Sequence, residues 1–448
     1  MRGRTNISGG GGLAINGDVN QFKVVEGSSI VSGDFVSILS KGTSTYNTNR
    51  SIDYGPIFKI SENEILFFTS STINILKISE NGFQEYKVFS VNFSYIQSVY
   101  QIDSNHFATL YFSGGNNPQF RINYVTVDVE NNLVSCEPKL YSLSIPEFKY
   151  NITGNMEEGV LSDNFLFIPI QGKKTSTSNY SVSLVWIDIN SEKLGYKIVE
   201  DVQYYSNFRT LLEGEKFDFY LFNKGYDKND LRISRFNFDK QNKTLNFVNN
   251  YSFDESPSLG SIGYVCYLGN NRFLLDSGSR YYNISSYFDD LAVLEFTDDI
   301  VLQIHRISTK GIKKDSQIRL FMLGDSLIIL KFDYKTAEHH LDGVFVTNID
   351  KILTIKEFEY NTFNIFDILN KNGTINLLEA GGYIFISGLY STEITHIIVG
   401  QCKIMGNTLV GIDIPQTVSN YNGNALGVAK TSGNAGDIID VYVPSGTT

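Results

Sequence analysis

Hydrophobic residues along this chain fall in short runs separated by tight polar turns, and one unit recurs. A short apolar stretch leads into a turn of Asn, Asp, Gly, Ser or Glu, and a run of consecutive large apolar residues follows. Copies occupy residues 58–68, 99–110, 160–168, 210–220, 265–275, 320–330 and 375–386. The second runs open on Ile65, Phe107, Phe165, Phe217, Phe273, Leu327 and Tyr383, which stand 42, 58, 52, 56, 54 and 56 residues apart. A continuous apolar run bounded by turns suits a strand covered on both faces. These seven anchors are therefore expected at equivalent buried positions.

A second hairpin follows each of the first six copies, and its strand alternates apolar with polar residues, at 73–78, 124–129, 184–189, 233–238, 292–296 and 344–349. Alternation marks a half-buried strand. Two hairpins per repeat make a four-stranded antiparallel sheet, and seven repeats with a period of about 50 predict an all-β, seven-bladed β-propeller over residues 49–403. A generic array of β-sandwiches is the rival reading. Little room is left for helix.

The two flanks share a pattern of their own, in which short strands are separated by Gly-Asp turns. Neither residues 13–48 nor 404–448 are enough to bury a core alone, whereas a closed ring brings its ends together. One small β-barrel made from both ends is expected, with the propeller inserted in it and residues 1–12 as a flexible Gly-rich N-terminus. The stretches VVEGSSIVSGDFV at 24–36 and GVAKTSGNAGDIIDVYV at 427–443 resemble a small β-domain of tailed-phage virion proteins. That group includes minor structural and tail proteins of phages and prophages of Gram-positive bacteria and, more distantly, capsid decoration proteins. The resemblance covers the ends only, and a generic barrel with similar turns is the plainer alternative. It implies assembly into a virion, synthesis in the host bacterial cytoplasm, and several copies per particle beside other virion proteins.

Composition narrows the partners. The chain of 448 residues is 42% hydrophobic and 13% aromatic with only 8 prolines, a globular profile. Its 48 acidic and 37 basic residues leave a formal charge of −11 without a Lys/Arg cluster, which argues against nucleic acid. No apolar window is long enough to span a membrane, and residues 1–12 have no apolar stretch of the kind a signal peptide needs. Cys136, Cys266 and Cys402 are widely separated, so a disulfide framework or zinc knuckle is not expected.

Catalytic signatures are thin, and the chain reads as a non-enzyme without metal or cofactor. Sialidase-type boxes need tryptophans, and only Trp186 is present. Nucleophile-elbow, phosphate-loop and His-Glu-x-x-His patterns are absent. Glu338, His339, His340 and Asp342 gather possible metal ligands, but adjacent strand residues point to opposite faces, so the two imidazoles meet one ion only in a loop. Solvated loop histidines are the plainer reading.

The remaining signal lies in the connections that leave each anchor strand, which are longer and more varied than the hairpin turns. They mix Tyr with Asn, Ser, Asp and Arg, a set suited to stacking on and hydrogen-bonding to sugars. Tyr226, Asp227, Arg280, Tyr281, Tyr282 and Tyr334 are the candidate ligand-binding residues, for a bacterial surface glycan or a neighbouring virion protein. The expected function is a phage accessory protein that docks through the split barrel and displays the propeller. Rival readings are a purely architectural decoration, collar or baseplate protein, and a carbohydrate-active propeller enzyme.

Overall fold

The computed structural model describes residues 17–24, 27–38, 45–47, 57–69, 71–79, 82–91, 93, 96–113, 118–154, 159–174, 180–191, 193–198, 209–224, 231–253, 265–276, 290–297, 300–309, 316–335, 338–358, 361–362, 375–391, 395–411, 417–420 and 427–444. The expected Gly-rich stretch 1–12 lies outside them. The described chain is nearly all strand, with short 3-10 turns at Glu215–Phe217 and Ile349–Thr354. Contacts divide it into two compact units: Thr45–Ile78 with Gln84–Ile412, and Met1–Ser44 with Ser79–Phe83 and Asp413–Thr448.

The larger unit is a propeller-like succession of antiparallel sheets built mostly of four strands. In the fourth sheet, Arg209–Glu213, Asp218–Lys224, Leu231–Asp239 and Thr244–Phe253 pair in chain order. Six further sheets of this kind appear among the described residues, beginning at Ile57, Ser98, Phe148, Val265, Ser316 and Ile375. Turn chemistry fits the hairpins. In the fifth sheet Asn270 and Asn271 both have positive φ, 54° and 56°, as a two-residue turn matched to strand twist requires.

Because alternate strand residues point to opposite faces, a sheet with consecutive apolar residues is sticky on both sides and packs between two neighbours. Leu66 and Phe68 of the first sheet join Phe107 and Val125 of the second. Ala108 and Leu110 of the second join Leu166 and Ile168 of the third. Phe167 and Leu184 then meet Phe219 and Leu221 of the fourth, whose Tyr220 and Phe222 meet Phe273 and Leu275 of the fifth. Leu274 and Val293 pack on Leu327 and Ile329 of the sixth, and Ile328 and Leu330 on Ile384 and Ile386 of the seventh. Between the seventh sheet and the first, the Gly381 amide donates to Glu62 Oε2 at 2.9 Å.

This parity corrects the expected anchors. Phe107, Leu166, Phe219, Phe273, Leu327 and Ile384 face the preceding sheet, each one position beyond the first strand residue after its turn. Ile65 occupies the same position, on the face opposite Leu66. Phe165 and Tyr383 are the first residues after two-residue turns, paired with Ser162 and Ala380, and so sit on the other face. Phe217 lies in the 3-10 turn, and Phe219 takes its place. Ile65, Phe107, Phe165, Phe273 and Leu327 are buried, whereas Phe217 and Tyr383 are half-buried.

The outermost strand of the seventh sheet comes from both ends of the larger unit. Strand Thr395–Met405 pairs with Thr408–Gly411 through Cys402 to Met405, and with Thr45–Asn47 through Ile398 to Gly400. Residues 45–47 and 404–411 were expected in the terminal barrel; edge pairing draws them into this sheet instead. The chain from Ile349–Thr354 adds Glu357–Phe358 in parallel to the edge of the fifth sheet, then returns as Asn361–Thr362 to the sixth.

In the smaller unit, Gly17–Val24 pairs with Ile438–Pro444 and with Thr417–Asn420. Phe35–Ile38 joins Thr417–Asn420 to Gly427–Ala429, which returns to Ile438–Pro444, so the ladder closes on itself. Phe22, Val24, Ile30, Val36, Ala429, Ile439 and Val441 fill its interior.

Candidate functional site

Five of the six expected ligand-binding residues, Tyr226, Asp227, Arg280, Tyr281 and Tyr282, lie outside the described residues. Tyr334 was expected in a loop and is instead within strand Ser326–Lys335, paired with His339 of Glu338–Asn348. His339 and His340 share that strand, so the loop required for a two-imidazole site is not formed there.

The terminal unit carries a better described surface. Its Gly-Asp turns are one device built twice. The Val31 amide donates to Asp34 Oδ2 at 2.9 Å and the Asp34 amide to the Val31 carbonyl at 2.9 Å. The Asn434 amide donates to Asp437 Oδ2 at 2.8 Å and the Asp437 amide to the Asn434 carbonyl at 2.9 Å. Gly33 and Gly436, at φ 92° and 91°, supply the left-handed third position that such a turn needs. The partners correspond as well. Ala429 exchanges backbone bonds with Gly33 and Asp34, as Val24 does with Gly436 and Asp437.

Each turn is followed by an apolar residue pointing out and one pointing in. Phe35 is 49% exposed before buried Val36, and Ile438 is 60% exposed before buried Ile439. Strand pairing extends Phe35 into a row, since Phe35 pairs with Val428, Val428 with Tyr442, and Tyr442 with exposed Val19. Lys430 Nζ stands 5.7 Å from the Tyr442 ring centre. Sequence reasoning marked both turns but missed this row. Its signal was the shared x-x-Gly-Asp-apolar-apolar spacing.

The tight-turn ends of the sheets are polar and cross-linked. Asp188 accepts from the Asn190 and Ser191 amides and from Lys243 of the next sheet. Burial alone would raise its carboxyl, yet these donors hold it below the ordinary value. Hydrogen bonds from Asn242 lower Asp239, those from Asn131 lower Asp128, and those from Lys59 and Gly381 lower Glu62. Glu213 runs the other way, raised by burial. Lys240 pairs with Asp163 across the third and fourth sheets. Turn geometry and sheet-to-sheet fastening account for these carboxylates.

The thiols and imidazoles are next. Burial pushes the Cys266 and Cys402 thiols up to about 12, and it also raises exposed Cys136. His305 Nε2 lies 2.6 Å from the Ile355 carbonyl, and His106 Nδ1 is 2.8 Å from Asp103. Among the described residues, no three His, Cys, Asp or Glu side chains are placed to hold a metal ion, and no helix is long and apolar enough to cross a membrane.

No protein-family model matches the chain, and no curated protein does. Similar solved structures include S. cerevisiae core factor, at 13% identity and TM-score 0.40, covering 84% of this chain and 62% of that one. Kluyveromyces lactis Hsv2 is 9% identical with TM-score 0.38, covering 80% of this chain and 99% of that one. An ACO/RPE65 chimera is 8% identical with TM-score 0.36, covering 75% of this chain and 81% of that one.

Proposed function

We propose that the chain is a non-enzymatic accessory protein of a phage or phage-tail-like particle. In this reading the larger unit is a seven-bladed propeller inserted into the terminal barrel, the barrel docks to the particle, and the propeller offers a binding surface. The observation that carries it is the closed ladder of both chain ends with its outward row of Phe35, Val428, Tyr442 and Val19. Phe35 and Val19 stand about half exposed at the ends of this row with Val428 and Tyr442 half-buried between them, and burying that apolar surface against another particle protein is favourable. The propeller loops that carry Tyr226, Asp227, Arg280, Tyr281 and Tyr282 then meet a bacterial surface glycan or a neighbouring particle protein, weakly per copy and strongly through avidity.

Deleting residues 427–443 tests the docking half. Loss of the truncated chain from purified particles, with its larger unit still folded, supports the reading, and normal incorporation refutes it. Particles carrying Tyr281→Ala and Tyr282→Ala test the binding half. Reduced host adsorption by intact particles supports a receptor role, whereas unchanged adsorption with unstable particles assigns the chain a purely architectural one.

A further inference from the structure

Two neighbouring strands of the smaller unit, Gly427–Ala429 and Ile438–Pro444, present opposite charges on their outward side. Val428 pairs with Tyr442 and Ala429 with Val441, and the ladder continues as the Lys430 amide donates to the Asp440 carbonyl at 2.7 Å. Ala429 and Val441 point into the core, so Val428, Lys430, Asp440 and Tyr442 all point outward. Lys430 is exposed and the other three are half-buried. Lys430 and Asp440 stand opposite each other without forming an ion pair. The ammonium lies over the Tyr442 ring instead, 5.7 Å from its centre.

We propose that this face is self-complementary and takes a second copy of the chain as its partner. A twofold axis lying in the face, parallel to the two strands and between them, exchanges the strands. It sets Val428 of one copy on Tyr442 of the other and Lys430 of one on Asp440 of the other, and each contact is made twice. Apolar meets apolar and cation meets anion, with no like charges opposed. A partner of a single charge sign would instead meet its own sign on one of the two strands. The inference goes beyond the docking reading. Phe35 and Val19 lie on the strands either side of this pair, which a closed ladder turns away from the axis, and they are left to other particle proteins.

Sedimentation equilibrium of the purified full chain over a concentration series tests this. The unaltered chain should interconvert between monomer and dimer. Lys430→Glu opposes like charges across the axis and should weaken the dimer about tenfold, as should Asp440→Lys. The two changes together restore opposite signs and should return the dimer to within about threefold of the unaltered chain. Lys430→Gln and Asp440→Asn, each weakening the dimer, serve if a reversed charge prevents folding. A chain that is monomeric throughout the series overturns the proposal and assigns the face to a different particle protein. A dimer indifferent to both charges overturns it too, as does a double reversal no tighter than the single ones. The number of copies per particle is a separate readout, so the docking reading stands or falls independently of the dimer.

Discussion

The Gly381 amide donates to Glu62 Oε2 at 2.9 Å, joining residues 319 positions apart at the meeting of the seventh sheet and the first. A Cβ at position 381 would stand 2.6 Å from the Glu62 carbonyl oxygen, so the approach depends on glycine. Gly381→Ala should lower thermal stability by roughly 1 to 3 kcal/mol, from strain at positive φ and displacement of the first sheet. Calorimetry measures it, and an unchanged melting temperature would show that the two sheets do not depend on this contact.

The corrected register separates neighbouring phenylalanines. Phe219→Ala empties a fully buried position between the third and fourth sheets and should cost about 3 to 5 kcal/mol. Phe217→Ala, in the half-buried turn, should cost about 1 kcal/mol or less. Equal losses in urea titrations of the two variants would contradict the assignment.

Arg235 and Asp218 form a largely buried ion pair, with Nε 2.9 Å from Oδ2 and Asn237 donating to Oδ1 at 2.8 Å. Removing one partner strands the other charge. Arg235→Met should therefore cost about 3 to 5 kcal/mol, and Arg235→Met combined with Asp218→Asn should recover part of that loss. A double variant no more stable than the single one would mean that the charge pairing is not what matters.

Acid should loosen the molecule through the turn carboxylates. Asp128, Asp188, Asp239 and Glu62 are held below their ordinary values, so the unfolded chain binds protons more readily than the folded one. Their contribution is complete above about pH 4 to 5 and is lost as pH falls through the lowered folded values. Glu213 opposes this trend, since its raised value favours the fold as it protonates. Asp188→Asn should flatten the fall in melting temperature below pH 5; an unaltered slope would show that Asp188 does not contribute.

Much of this architecture was legible in the hydrophobic pattern, because a sheet covered on both faces demands consecutive large apolar residues and its turns demand Asn, Asp and Gly. What the pattern concealed was phase. Phe165, Phe217 and Tyr383 are large apolar residues beside a turn, and hydrophobicity cannot tell the first strand residue from the second. Strand Thr45–Asn47 was unreadable for another reason: three residues, one of them apolar, carry no period, and their partner is hundreds of positions away. At the candidate site, the Gly-Asp turns were visible as composition, while the outward row depends on cross-strand register that joins Phe35 to Val19 through Val428 and Tyr442.

The docking claim is tested most directly by counting copies per particle. Phe35→Ser and Ile438→Ser change exposed side chains that follow equivalent turns, so the smaller unit keeps its interior. Particles assembled with the double variant should carry about tenfold fewer copies than those with the unaltered chain, as expected when buried apolar contacts become polar. Equal copy numbers, with the variant folded, would contradict docking through this face.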